Sequence, residues 1–385
     1  MIIMWTIIII SLLFLFYTYF GYPLLIYFLS RLTKQKSKII KSAKDYNPPI
    51  TVILTVYNEE ENIINKLDNL SKLEYPQDKL NIVIVDDGST DNTFSLIEKY
   101  IKDNDRINIK PISQENKGKA VSINTACDYI KDNFNNNDER LIFLCDSRQR
   151  IEEKALSYMV SSLKNDDIAY VSGIILIPDK KGPGIYWKYE QFIRDCESKF
   201  HSVTGGSGQI ALVRFNLIPK LPANLILDDV YIPMKCILNG KKVIFENKAK
   251  AYDIEYHINK ELQRKYRTLT GNFQILKYLP EILSFRKNPI AFQYWSHKIF
   301  RLIAPYFLII LFITSFTLFL AGSVMGGILF FLQILFYTYA LIGRDWNIPL
   351  LTAIPTFVNM NFAAIVGLIR FIRKDYRWTS AKSRK

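Results

Sequence analysis

Three short stretches of this chain end apolar runs with residue types that handle protons and phosphates. Thr55, Tyr57 and Glu59 close the run ITVILTV at 50–56. Asp86, Asp87, Gly88 and Ser89 close NIVIV at 81–85, and Asp146, Ser147 and Arg148 close LIFLC at 141–145. A carboxylate accepts N–H and O–H donors, and an arginine fork matches a phosphate. Farther along, ILDDV sets Asp228 beside Asp229. Two carboxylates this close repel, which raises the pKa of one of them and suits it to accept a proton. The same pair could instead cap the helix that begins there. Likewise, DDGSTD at 86–91 also reads as a turn with a helix cap, since Asp, Gly and Ser form turns. Cations follow the same logic: Lys117, Lys119, Arg264 and Arg267 can neutralise phosphate, although a lysine just before a helix also suits a plain surface.

The elements needed to position these groups are legible. The runs at 50–56, 81–85 and 141–145 are short, continuous and β-branched, as buried strands are. A weaker strand is expected at 107–112. Helical segments follow the first strand, with Glu59, Glu60 and Glu61 in the first turn, run from Asp91 to about Ile101, and cover 118–131. Strand and helix alternate, which predicts an α/β unit with a mainly parallel sheet. In such sheets ligands bind beyond the carboxyl ends of the strands, where the three acidic ends would converge. The second half is more mixed: a strand at 168–177, an amphipathic helix at 186–200, a Gly-rich turn leading to an apolar run at 204–213, a helix at 229–239 and a short strand, KVIF, at 242–245. From about 259 to 300 the chain is helical, basic and aromatic, which fits helices lying in a membrane interface.

Hydrophobic residues make up 49% of the 385 positions and are unevenly spread. Met1–Ser30, Leu302–Gly343 and Trp346–Ile369 carry no charge. A bilayer core needs about 20 apolar residues in a helix, so the first stretch is one span and the second is two, with Gly322, Gly326 and Gly327 near the turn. The first stretch lacks the basic start and cleavage site of a signal peptide and is expected to stay as an anchor. The third is interrupted by Pro349, Pro355, Asn359 and Asn361, and is expected to enter the bilayer without crossing it. Arg31, Lys34, Lys36, Lys38, Lys41 and Lys44 directly follow the first span, which predicts that residues 45–295 face the cytoplasm. The formal charge of +14 then fits an anionic inner leaflet rather than nucleic acid, because the basic residues cluster beside the spans. The uncharged spans also argue against a transporter. Cys127, Cys145, Cys196 and Cys236 form no CxxC pair and read as structural thiols of a reducing compartment. Of three histidines, His297 reads as interfacial, His257 as a remote metal candidate, and His201 stands apart.

Taken in order, TVYNEEENI, VDDGSTDNT, NKGKAVSINTA, the Asp146 strand end, GGSGQIALV and ILDDV resemble the family-2 inverting glycosyltransferases, in the membrane-integrated branch with cellulose, chitin and hyaluronan synthases and bacterial exopolysaccharide enzymes. The resemblance covers roughly residues 48 to 270. It implies a GT-A (Rossmann-like) catalytic domain, a UDP-sugar donor, a polysaccharide or lipid-linked acceptor, and Mg2+ or Mn2+. By the same resemblance Thr55, Tyr57, Glu59 and one of Asp86 or Asp87 hold the nucleotide. Lys119, with Lys117 near it, faces phosphate, and Asp146 binds the metal–diphosphate. Asp229 is the base, with Asp228 its neighbour. The sequence departs from the pattern twice. Arg148 stands where a second metal-site Asp is expected and can share the diphosphate charge. Arg264-Lys265-Tyr266-Arg267-Thr268 replaces a QxxRW motif, so Arg267 keeps the arginine but the tryptophan of processive synthases is missing. The organisation expected is an anchor at 1–30, a basic linker at 31–48, the GT-A domain at 49–258, interfacial helices at 259–300, a C-terminal membrane region at 301–370 and a basic tail at 371–385, in a multi-pass plasma-membrane protein. A non-processive transferase adding one sugar to a lipid, and an inactive nucleotide-sugar-binding scaffold, are the competing expectations.

Overall fold

The computed structural model describes residues 1–33, 46–104, 108–135, 138–176, 185–253, 258–343 and 353–376. The basic run Lys34–Lys44, His257, Trp346, Pro349 and the tail beyond 376 lie outside the described residues.

The chain opens with α1 (Ile2–Phe16), a π-helical turn (Tyr17–Gly21) and α2 (Tyr22–Leu32), which run on as one helix. At 31 residues this apolar helix is long enough to cross a bilayer. The eight strands that follow are β1 (Ile50–Val56), β2 (Leu80–Asp86), β3 (Asn108–Ser113), β4 (Leu141–Cys145), β5 (Arg150–Ile151), β6 (Ile168–Leu176), β7 (Ile210–Arg214) and β8 (Lys242–Tyr252). They form one sheet in the order β3-β2-β1-β4-β7-β6-β8-β5. The first four are mutually parallel; β7 runs antiparallel to both β4 and β6. The mainly parallel sheet expected is therefore confined to one half, and the other half is mixed.

Both faces of the sheet are covered, which explains the continuous apolar runs. Val52, Leu54, Ile82, Ile84 and Phe143 pack with α3 (Ile63–Ser71), α4 (Thr93–Asp103) and α6 (Ala155–Ser162). Their neighbours Ile53, Val83, Val85, Ile142 and Leu144 point the other way, toward α5 (Lys119–Asn133) and α8 (Asp228–Leu238). The period of two along each strand thus builds a three-layer unit.

Three elements go beyond the sequence reading. The short strand expected at 242–245 continues to Tyr252, and β5 and α6 form where the sequence pattern marks no element. β8 extends because its second half pairs with the end of β6 after a break in register between Ser172 and Ile174. Gly173 lies at that break, where a Cβ would come 2.6 Å from the Ala249 carbonyl.

The 259–300 region resolves into α9 (Ile258–Tyr278), a 3-10 turn (Pro280–Leu283) and a helix that starts with α10 (Ala291–Tyr294). A second π-helical turn, Trp295–Ile299, joins α10 to α11 (Phe300–Leu320), so the span begins ahead of the uncharged stretch and takes in His297, Lys298 and Arg301. α12 (Val324–Ile342) returns from a turn at Gly322, which has φ +80°. Gly326 and Gly327 are not in the turn; they sit in the first turn of α12, against Leu318 and Phe319. α13 (Ala353–Ile372) is also long and apolar enough to cross, and its Gly367 lies against Leu269 of α9. Ile309, Ile313, Phe316, Phe331 and Leu335 are exposed along these helices, as lipid-facing residues are.

Candidate active site

The carboxyl ends of β1 and β2 are laced together by their own polar groups. The Asn58 N–H donates to Ser89 Oγ at 2.9 Å, the Thr90 N–H to Asn58 Oδ1 at 2.8 Å, and the Glu59 N–H to Thr93 Oγ1 at 2.8 Å. Ser89 in turn donates through its hydroxyl to Asp86. Asp87 accepts from Gln114 Nε2 at 2.8 Å, the Lys117 N–H at 2.9 Å and the Gly118 N–H at 2.8 Å. This carboxylate therefore shapes the loop that leads into α5. Gly88 makes the approach possible: its φ is +75°, and a Cβ there would sit 2.8 Å from the Asn116 nitrogen.

At the start of α5, Lys119 reaches across the sheet. Its Nζ lies 3.0 Å from Asp146 Oδ1, just past β4, and 3.4 Å from Asp228 Oδ2, at the start of α8. Burial works against this charge, but Asp146 and Asp228 outweigh it and hold the ammonium well above its ordinary value. Asp228 and Asp229 occupy the first turn of α8, yet neither the Leu227 N-cap nor any side chain caps it by a hydrogen bond. Burial, reinforced by the Asp228 carboxylate, pushes Asp229 up to about 6, against the pull of Lys119 and Arg194. A dry, like-charged neighbourhood of this kind makes a carboxyl group a proton acceptor near neutral pH.

A glycine-rich turn closes over the pair. A Cβ at Gly206 would fall 2.3 Å from the Tyr170 hydroxyl, and one at Gly208 would fall 3.3 Å from Asp229 Cβ and 3.5 Å from both Asp228 Oδ2 and Lys119 Nζ. The Gly206 N–H donates to the Asp229 carbonyl at 2.6 Å. Among the described residues, three buried atoms here lack a hydrogen bond: the Tyr170 hydroxyl, Ser207 Oγ and Asp228 Oδ2, the last of which keeps its ion pair with Lys119. Burial, with Asp229 and Asp228 adding to it, raises the Tyr170 hydroxyl far above its usual range. Arg267 on α9 also faces this place. Burial lowers its pKa, while Asp228, Asp229 and Asp146 act to raise it.

The structure thus brings Lys119, Asp146, Asp228, Asp229 and Arg267 together. Thr55, Tyr57 and Glu59 stand half-buried at the end of β1, and Arg148 half-buried past β4. Lys117 and Arg264 are exposed, and Lys117 contributes its backbone N–H to Asp87. His297 is not a surface residue of the interface: it is buried, with Nδ1 2.7 Å from Glu197 Oε1 and Nε2 3.3 Å from Glu190 Oε2. Tyr170 and Arg194 escaped the sequence reading. Tyr170 sits in an ordinary strand pattern, and Arg194 in an ordinary amphipathic helix. Among the described residues no three His, Cys, Asp or Glu side chains gather as a metal cage. Asp146 is the carboxylate left partly open, with 31% of its side chain exposed. One or two carboxylates completed by substrate phosphates suit Mg2+ or Mn2+, so Asp146 fits an ion shared with a diphosphate.

Residues 51–221 match the profile described as Glycosyl transferase family 2. The poly-beta-1,6-N-acetyl-D-glucosamine synthase of Staphylococcus aureus (strain COL) is 29% identical over 209 residues, 51% of this chain and 48% of that protein. The enzyme of the same name from Staphylococcus epidermidis is 26% identical over 237 residues, 58% of this chain and 54% of that protein. The chain spans about half the length of the curated relatives it matches. Among solved structures, the mannosyltransferase PcManGT from Pyrobaculum calidifontis in complex with GDP-Man and Mn2+ aligns with a TM-score of 0.72. Identity there is 19%, with 96% of this chain and 99% of that chain covered, and the likeness establishes the GT-A fold.

Proposed function

We propose, from the premise that residues 51–221 form a glycosyl transferase family 2 domain, that this membrane glycosyltransferase moves a sugar from a UDP-sugar to a polysaccharide or lipid-linked acceptor with inversion. The observation that carries the reading is the meeting of Lys119, Asp146 and the Asp228–Asp229 pair at one sheet edge. Asp229 takes the proton of the acceptor hydroxyl as that oxygen attacks the anomeric carbon. The bond from that carbon to the diphosphate breaks, and the diphosphate leaves with the bonding electrons. Lys119 and Arg267 stabilise the charge that develops on it, with Arg148 beside Asp146. Thr55, Tyr57, Glu59 and Asp86 hold the nucleotide, and Asp87 acts through the loop it shapes. A divalent cation held by Asp146 and the donor diphosphate would supply further charge neutralisation. Asp228 keeps Asp229 basic.

The catalytic unit, 49–258, sits on the cytoplasmic side of the plasma membrane in this reading, because Arg31 ends the first span and a basic run follows. Thr268 after Arg267 favours addition of a single sugar over polymerisation, which the length of the product decides.

The test is Asp229→Asn in the full chain. Turnover should fall by about a hundredfold or more while UDP still binds. Near-normal transfer by that variant removes Asp229 from the role.

A further inference from the structure

The glycine-rich turn over the acidic pair has one polar side chain, Ser207, and its hydroxyl makes no hydrogen bond among the described residues. Gly205, Gly206 and Gly208 lack side chains because Val230, Tyr170, Asp229 and Lys119 already fill the space where a Cβ would stand. Glycine is also the residue with the most conformational freedom to lose, so such a turn needs outside restraint to keep one shape. The restraint comes from α7 (Ile185–Phe200). Arg194 Nη2 donates to the Gly206 carbonyl at 2.7 Å and to the Gly205 carbonyl at 3.3 Å. On the other side, the Gly206 N–H donates to the Asp229 carbonyl at 2.6 Å. The two contacts use opposite ends of the same short backbone segment.

α7 is itself held in place from the membrane side. Glu197, one turn beyond Arg194, is fully buried and accepts from the Tyr22 hydroxyl of α2 at 2.6 Å. It also lies 2.7 Å from His297 Nδ1 and 3.4 Å from the Thr204 N–H. Burial opposes the Glu197 charge, but His297 and Tyr22 prevail and keep the carboxyl below its ordinary range. The guanidinium therefore starts from a fixed helix and ends on the turn that abuts Asp229.

We infer that Arg194 is a positioning residue for the transfer reaction: by clamping the Gly205 and Gly206 carbonyls it seats the glycine turn against Asp229 and sets the place of the catalytic carboxylates. This rests on the reading of Asp229 as the base. Both bonds come from the one nitrogen Nη2, which the planar guanidinium holds in a fixed direction, whereas a lysine ammonium is a point charge on a flexible stem. Arg194 also contributes positive charge at Asp229, which lowers that carboxyl's pKa.

The experiment compares Arg194→Met, Arg194→Lys and Asp229→Asn as full chains in lipid nanodiscs, with UDP-sugar donor, UDP affinity and thermal unfolding read together. A misplacement on the order of 1 Å can cost about a hundredfold in rate, so Arg194→Met should lower kcat by about tenfold to a hundredfold. Donor KM and UDP affinity should change by less than about threefold, because the guanidinium is spent on the carbonyls of the turn. Arg194→Lys should recover part of the loss in kcat. The acid limb of the pH profile should move up in Arg194→Met and stay in place in Arg194→Lys, which retains the charge. A wild-type kcat in Arg194→Met overturns the inference, as does a rise in donor KM at unchanged kcat. If Arg194→Met does not fold, Arg194→Lys decides alone: wild-type turnover there also overturns it. Full activity in Asp229→Asn removes the base and this inference together, whereas an inactive Asp229→Asn beside a fully active Arg194→Met removes Arg194 only.

Discussion

The two sides of the site are built on opposite principles. On the β1–β2 side, side chains and backbone satisfy one another: Asp87 alone takes three N–H donors, two of them from the backbone of the loop it shapes. On the α8 side, among the described residues, the Tyr170 hydroxyl and Ser207 Oγ are buried without a hydrogen bond, and Asp228 Oδ2 faces the Lys119 ammonium at 3.4 Å in place of one. Buried polar atoms are nearly always paired, so orphans gathered in one place mark where a protein keeps capacity for something else. The difference teaches a division of labour. A satisfied lattice is rigid and makes a preformed seat, and an unsatisfied one keeps its chemistry available.

The sharpest way to break this contrast is on the satisfied side. Asp87→Ala leaves the Lys117 and Gly118 N–H groups without an acceptor, while Gln114 Nε2 keeps Ser122 Oγ at 3.2 Å, and charge-assisted bonds of this kind are worth about 1.5–3 kcal/mol each. We expect a loss of about 3 kcal/mol in unfolding free energy, together with loss of UDP binding. A variant that unfolds like the wild type would mean the lattice holds nothing rigid.

On the open side, Gly206→Ala places a methyl group into the Tyr170 ring. Overpacking costs about 1–3 kcal/mol, so transfer should slow by about tenfold to a hundredfold with UDP affinity retained. Unchanged kcat would show that the turn need not abut the carboxylates.

The pH dependence sharpens the same point. The proposed mechanism needs Asp229 unprotonated, and this carboxyl is pushed up to about 6. The profile of kcat/KM should be flat above that pH and fall by about tenfold per unit below it. An acid limb in the ordinary aspartate range would indicate that the pair is not dry.

The smallest effect expected is that of Tyr170→Phe. Removing a hydroxyl that makes no hydrogen bond should leave stability unchanged or raise it by less than about 1 kcal/mol. If stability falls by more, the hydroxyl has a partner, and the contrast between the two sides weakens.

How much of this was legible depended on locality. ITVILTV and LIFLC announced strands buried on both faces, because burial on both sides removes every charged residue from the run. The acidic strand ends announced the site edge, since the sheet topology brings those ends together whatever lies between them. The full length of β8 was hidden, because its second half contains Glu246, Asn247 and Lys248 and is held by pairing with β6 beyond an irregularity and with β5 on the other side. Arg194 and Tyr170 were hidden for a related reason. Their significance lies in touching the 205–206 turn, contacts between segments far apart in sequence that no local pattern encodes. The burial of His297 was hidden because Glu190 and Glu197, which enclose it, sit about a hundred residues away.

The π-helical turn at Tyr17–Gly21 lies between two stretches of the first helix with different neighbours. Before it, Ile8 packs with Leu311 and Leu318; after it, Tyr22 and Ile26 pack with Ile193 and Cys196. A π turn fits one extra residue into the helix, which rotates everything beyond it by about 100° relative to an unbroken one. The first helix is therefore phased as well as long enough to cross a bilayer. Any apolar helix of the same length could hold the protein in a bilayer, but one lacking that residue would swing Tyr22 away from Glu197. Grafted or trimmed anchors are thus expected to localise normally while leaving the enzyme mistuned, and the first helix counts as a part of the machine rather than its mooring.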